Sequence, residues 1–213
     1  VGERTVATAD EDDSELELAG LVALHDPLRP GAADSVAQAR AAGVEVALLT
    51  GDHLATATAI GKELGFESGR AVTGAALDEA GAAELRDLVA GNEIYARVTP
   101  AHKLRLVEAF QSRGEVVAVT GDGINDAPAL RQADVGLAMG KSGTEAAREA
   151  SEIVLTDDDF ATILAAVREG RRIQDNLRRF VFFLLSANFG EVVLFAVAVL
   201  AGLGVPMTVV QIL

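Results

Sequence analysis

Six short, largely apolar runs constrain this chain more than anything else. They lie at 21–24, 44–49, 94–98, 116–119, 135–138 and Ile153–Leu155. Between most of them stand helix-like stretches at 32–42, 54–64, 80–89, 101–112 and 144–150. Strands alternating with helices specify βαβ units and a mostly parallel sheet. The runs are apolar along their length rather than alternating, as strands covered on both faces should be. The expected class is therefore α/β, with a mostly parallel, Rossmann-like sheet. Half of the residues are hydrophobic and only 4% are aromatic, so Ala, Val, Leu and Ile must build the core. The 213 residues suffice for one sizeable core and an appendage. The acidic run at 10–15 reads as a solvated hairpin loop, since no ligand spacing accompanies it.

The segment Thr120-Gly121-Asp122-Gly123-Ile124-Asn125-Asp126-Ala127-Pro128 follows the 116–119 run and leads into a helix. Two carboxylates and an amide thus gather where a strand ends. Open α/β sheets bind ligands at the carboxyl ends of their strands. Oxygen donors there suit a hard cation such as Mg²⁺, which commonly arrives bound to phosphate. Gly121 and Gly123 suggest close backbone approach or positive φ. The bland alternative is an Asp-Gly turn followed by a helix cap.

The last forty residues change character. Residues 180–204 hold 25 residues with one charge, Glu191. As a helix they would reach about 37 Å, enough to cross a hydrocarbon core of about 30 Å with tilt. Arg168, Arg171, Arg172, Arg178 and Arg179 precede them, the basic flank of a cytoplasmic membrane end. Gly202, Gly204 and Pro206 should end the span, and 205–213 reads as the start of a further membrane segment. A buried core helix is the alternative. Asn188 and Glu191 stand three apart, hence on one helix face. A carboxylate in lipid is costly unless paired, hydrated or protonated, so Glu191 is a functional candidate.

A formal net charge of −14 argues against nucleic acid as a partner. The chain has no Cys, which excludes disulfides and thiolate metal sites within it. It opens at Val1 without a basic and apolar leader and stops at Leu213 inside an apolar run, so both ends read as cuts in a longer protein.

Four motifs in order resemble the P-type cation-transporting ATPases, whose phosphorylation domain is haloacid dehalogenase-like. Asp26-Pro27-Leu28-Arg29 resembles the family's Asp-Pro-Pro-Arg hinge, with Leu28 for the second Pro. Thr50-Gly51-Asp52 follows the 44–49 run as the family's Thr-Gly-Asp follows a strand. Ala96-Arg97-Val98-Thr99-Pro100-Ala101-His102-Lys103 is similar to the segment that bears its lysine. Thr120 to Leu130 fits its Thr-Gly-Asp-Gly-x-Asn-Asp-x-Pro-Ala-Leu signature without a mismatch. Ser186-Ala187-Asn188-Phe189-Gly190-Glu191-Val192-Val193 resembles the fifth membrane helix of calcium pumps. Sodium/potassium-type pumps differ before the Glu, and the heavy-metal branch relies on membrane cysteines.

The resemblance implies a division into five parts. These are the tail of a nucleotide-binding domain (1–25), the later half of the phosphorylation domain (26–158), a cytosolic stalk helix (159–179), a membrane helix (180–204) and the next membrane segment. It implies an enzyme that couples ATP to cation transport, with Mg²⁺ and ATP as cofactors, a lipid bilayer and the pump's other domains as partners, and calcium as cargo. Lys103 would neutralise phosphate oxygens. Thr50 and the Gly51 N–H would donate to the phosphoryl group, beside Asp52. Asp122 would bind Mg²⁺ directly, Asn125 would contact the phosphoryl group, and Asp126 would orient Lys103 or the metal's waters. Arg29 and Arg97 would contact nucleotide, and Asn188 and Glu191 the transported cation. The family's Asp-Lys-Thr-Gly-Thr segment does not occur here, so the chain alone is expected to be inactive. Read singly, Thr50 and Asp52 also fit a strand-end turn, Lys103 a solvated first-turn residue, and Arg29 and Arg97 solvated surface. Asp157, Asp158 and Asp159 read as a loop and N-cap, and His25, His53 and His102 have no assigned role. Two other classes remain: a soluble phosphatase, which would need an Asp-x-Asp strand and no span, and a non-enzymatic membrane module that binds Mg²⁺ or nucleotide.

Overall fold

The computed structural model describes residues 28–66 and 71–203. The 21–24 run, the 10–15 loop, Gly204, Pro206 and 205–213 lie outside them. The chain divides into two compact units, Val1–Pro30 and Gly31–Leu213.

The first part of the second unit contains α1 (Ala32–Ala41), β1 (Leu48–Leu49), α2 (Leu54–Glu63), β2 (Ala71–Thr73), α3 (Gly74–Glu79), α4 (Ala82–Gly91) and β3 (Ile94–Ala96). The three strands form a parallel sheet in the order β1-β3-β2, with Leu49 opposite Tyr95 and Thr73 opposite Ala96. α5 (Pro100–Ser112) then leads to β4 (Ala118–Gly121), a 3-10 turn (Ile124–Asp126), α6 (Ala127–Gln132), β5 (Val135–Met139), α7 (Glu145–Glu149) and β6 (Ile153–Leu155). Here the parallel order is sequential, β4-β5-β6. Among the described residues every pair is thus parallel, as the apolar runs require, but the strands form two three-stranded pieces with β1 and β4 each at an edge.

β3 shows why its sequence is apolar without alternation. Tyr95 packs with Leu77, Leu85 and Leu106 on one face, while Ile94 and Ala96 pack with Val36, Ala57 and Phe66 on the other. All three strand residues are buried. Phe110 meets the Tyr95 ring edge-on at 6.5 Å between centroids. Burial of the phenol raises the Tyr95 pKa, and its hydroxyl donates to the Asn92 carbonyl at 3.0 Å. In the second sheet Leu137 and Leu155 pack against Ile163 and Phe160. That contact seats the start of the last helix on the sheet.

This helix, α8, runs unbroken from Phe160 to Leu200. Asp159 caps it by accepting the Ala161 N–H at 2.9 Å, as a residue at this position can. Its early turns cross α1: Arg168 donates to Gln38 at 2.9 Å and Arg171 to the Ala42 carbonyl at 2.6 Å. Stalk and candidate span are therefore one helix. It stops at Leu200, earlier than expected, where Gly202 takes φ 66. The apolar part from Phe180 to Leu200 is about 30 Å long, close to one hydrocarbon thickness. By length and composition α8 can cross a membrane, and its most apolar stretch is not buried in the protein.

Candidate functional site

The Thr120–Pro128 signature lies where the spacing placed it. β4 ends at Gly121, Asp122 stands one residue beyond, and the 3-10 turn feeds α6. Gly121 is needed for close approach: a Cβ there would come within 2.5 Å of the Asp126 Cβ. Gly123 behaves differently from the expectation. Its φ is −100 and nothing crowds it, so its contribution is its N–H, which donates to Asp126 Oδ2 at 3.2 Å.

Asp126 is only 8% exposed, so its charge needs partners. Besides the Gly123 amide it receives the Lys103 ammonium, with Nζ 2.5 Å from Oδ1. Both carboxylate oxygens are thus engaged. Asp126 is suited to orient Lys103 and is a poor direct metal ligand. Lys103 lies in the first turn of α5, where the helix dipole disfavours a cation. The Asp126 carboxylate offsets that.

Asp122 and Asn125 contrast with Asp126. Both are exposed, and neither side chain has a hydrogen-bond or ionic partner among the described residues. The Asp122 carbonyl accepts the Thr144 N–H at 2.8 Å. Among the described residues no three His, Cys, Asp or Glu side chains gather as a metal site. An exposed carboxylate at a strand end nevertheless fits Mg²⁺, which binds through one or two carboxylates and takes its remaining ligands from phosphate and water.

A second group forms after β1. Thr50 donates its N–H to the Tyr95 carbonyl at 2.9 Å and accepts the Val98 N–H at 3.1 Å. Its hydroxyl donates to Asp52 Oδ2 at 2.9 Å and accepts the Asp52 N–H at 3.1 Å. Asp52 in turn accepts the Arg97 N–H at 3.0 Å. Arg97 adopts φ 56, uncommon for a residue with a side chain, and its guanidinium lies against the His53 ring. Gly51 is exposed, with open space around it.

α5 joins the two groups. Val98 bonds Thr50, the helix begins just beyond, and Lys103 reaches Asp126. Its start is strongly fixed. Thr99 accepts the His102 N–H at 3.3 Å, while His102 Nδ1 accepts the Thr99 N–H at 3.2 Å. That leaves the imidazole proton on Nε2, which faces Asp78 Oδ1 at 2.7 Å. His102, without a role in the sequence reading, performs the capping-box task that Glu or Gln usually has. That substitution hid it. Also unforeseen are Thr144, Arg148 and Asp158, whose partners lie in other loops and leave no local signal.

Not everything converges. Arg29 belongs to the other unit, Val1–Pro30. Asn188 and Glu191 stand on α8, three apart and so on one side. Glu191 is 31 residues past Phe160, about 46 Å along the helix.

Residues 2–134 match the haloacid dehalogenase-like hydrolases, and the chain belongs to that family. Among curated proteins it is 50% identical to the probable cation-transporting ATPase F of Mycobacterium tuberculosis, over 93% of this chain and 22% of that protein. It is 44% identical to the calcium-transporting ATPase of Bacillus subtilis, over 96% of this chain and 23% of that protein. The fold resembles the crystal structure of a zinc-transporting PIB-type ATPase in its E2.Pi state, with a TM-score of 0.61 and 30% identity over 83% of this chain and 24% of the other. The chain thus spans under a quarter of the length of these relatives.

Proposed function

We propose that this chain is the later part of the phosphorylation domain of an ATP-driven cation pump, together with the membrane helix that domain moves. The observation that carries the reading is the Lys103–Asp126 ion pair just past the end of a parallel strand, four residues along from Asp122, which has no side-chain partner among the described residues, in a chain that continues into α8. Phosphoryl transfer is mainly positioning and charge neutralisation, and these groups supply both. Asp122 would hold Mg²⁺, which would supply neutralisation of phosphate charge. Lys103, steered by Asp126, neutralises a phosphoryl oxygen. Thr50 turns its hydroxyl from Asp52 to the phosphoryl group, the Gly51 amide donates beside it, and Asn125 contacts the same group. Arg97 and Arg29 contact nucleotide. The aspartate that accepts the phosphoryl group comes from a strand outside this chain; among the described residues β1 and β4 are edge strands, with Thr50 just past one and Asp122 just past the other, and such an edge can accept that strand.

The cargo is a cation held near the middle of the bilayer by Asn188 and Glu191. Calcium is supported by the hard oxygen donors and by relatives named calcium-transporting. The zinc-transporting neighbour favours a softer cargo, but this chain offers no thiolate. The protein sits in the membrane with residues up to about 179 in the cytosol, beside the pump's other domains. In the full-length protein, Asp122→Asn should lower phosphoenzyme formation from ATP by about 10²–10³-fold whatever the cation, as loss of one preorganised electrostatic contact does. Labelling with γ-phosphate-labelled ATP reads this. Phosphorylation at the wild-type rate would remove Asp122 from the site.

A further inference from the structure

The run Asp157-Asp158-Asp159 contains a residue the phosphate site has not accounted for. Its outer members serve α8: Asp159 caps it, and Asp157 accepts the Asp159 N–H at 3.1 Å and the Thr162 hydroxyl at 2.5 Å. Asp158 faces the opposite way. Its Oδ1 accepts the N–H groups of Gly140 at 2.7 Å and Lys141 at 2.9 Å, and its Oδ2 accepts that of Ser142 at 2.8 Å. Three successive amides of the loop after β5 thus converge on one carboxylate. Asp158 holds φ 58 while doing so; among the described residues only it and Arg97 take positive φ without being glycine. A backbone cost of this kind persists where the surroundings fix it.

The loop it grips is closely built. A Cβ at Gly143 would collide with the Met139 carbonyl, and one at Gly140 would come within 2.7 Å of the Leu155 carbonyl oxygen. Arg148 donates from the other side to the carbonyls of Gly140 at 3.3 Å and Gly143 at 2.5 Å. The loop ends at Thr144, whose N–H donates to the Asp122 carbonyl. Asp122 lies one residue past the last ladder pair, Gly121 with Ala138, so this amide holds it where the sheet no longer does.

We propose that Asp158 is a positioning residue for Asp122: its carboxylate fixes the 140–144 loop, and the Thr144 amide passes that placement to the carbonyl of the magnesium ligand. The proposal rests on the reading of Asp122 as that ligand. Partners that orient a metal ligand matter nearly as much as the ligand, and their loss costs about 10–100-fold in metal affinity. The same amides favour the ionised carboxylate. The Lys141 amide foremost, with those of Ser142 and Gly140, lowers its pKa to about 2 against the opposing effect of burial.

The test uses the full-length protein and two variants. Asp158→Gly removes the carboxylate and accepts a positive φ freely. Asp158→Asn also tolerates that backbone and keeps Oδ1 for Gly140 and Lys141. The first readout is amide hydrogen exchange over 139–147 without Mg²⁺ or ATP. Asp158→Gly should speed exchange at Thr144 as well as at 140–142. The second is the Mg²⁺ concentration for half-maximal phosphorylation by ATP. It should rise about tenfold or more in Asp158→Gly and about threefold in Asp158→Asn, while half-saturation by ATP stays at the wild-type value. Wild-type exchange at Thr144, or wild-type Mg²⁺ dependence, in the glycine variant overturns the proposal. If that variant does not accumulate, wild-type Mg²⁺ dependence in Asp158→Asn overturns it equally. Failure of the underlying reading looks different: Asp122→Asn itself would then phosphorylate normally.

Discussion

Asp122 and Asp126 sit four residues apart and have opposite circumstances. One is exposed with no side-chain partner among the described residues, and the other is buried with both oxygens engaged. A metal needs the first kind of carboxylate, and a lysine that must stay charged and aimed needs the second. Gly121 makes the second possible, because any side chain there would strike Asp126. Gly121→Ala should therefore destabilise the protein by about 1–3 kcal/mol and loosen the Lys103–Asp126 pair. A thermal melt beside the wild type reads the loss, and an unchanged midpoint would show that Asp126 can move aside freely. The signature made Asp122, Asn125 and Asp126 legible in advance, since they are adjacent in the chain. His102 and Asp158 were not legible. His102 stands where a capping box has Glu or Gln, and its Asp78 partner and those of Asp158 lie 24 and 16–18 residues away, where no spacing rule reaches across loops whose path is unknown.

At the scale of elements, strand sites were readable from apolarity and their lengths were not. Only Leu48–Leu49 of the 44–49 run pairs, and β4 begins at Ala118 rather than 116, leaving Val116 at 83% exposure. β2 and α3 were missed, because Ala71–Thr73 is too short to show a period and Gly74 opens a helix against helix propensity. Gly74 is there for packing: a Cβ would collide with the Arg97 carbonyl. The joints between elements are made by acceptors that chain pattern cannot reveal. Asp134 accepts the Val117 N–H at 2.8 Å, and Asp158 holds the loop after β5. Both carboxyl pKa values are lowered, first by the Val117 and Lys141 amides respectively. A depressed native pKa contributes stability that is complete above the ordinary Asp value near 4 and is lost as pH falls through the native value. Melting temperature should therefore fall between about pH 4 and pH 2. Asp158→Asn should flatten part of that fall, and a slope identical to wild type would mean that the carboxylate is not held in solution as it is here.

For the molecule as a whole, α8 is the decisive structure. One end is fixed to the second sheet through Phe160 and Ile163 and to α1 through Arg168 and Arg171. The other carries Asn188 and Glu191, about 46 Å from the helix start. Ion binding and phosphate chemistry can influence each other over such a distance only if both bias the same two arrangements of a rigid element. In the proposed pump, the unbroken 41-residue α8 would be that element. The most direct measurement is cation-dependent phosphoenzyme formation in membranes that hold the full-length protein, wild type against Glu191→Gln. Wild-type protein should form a hydroxylamine-sensitive phosphoenzyme from ATP and Mg²⁺ only when the transported cation is present. Glu191→Gln should need about tenfold more of that cation or more, since removing a charged ligand weakens a hard-cation site. The same cation dependence in both proteins would contradict the account.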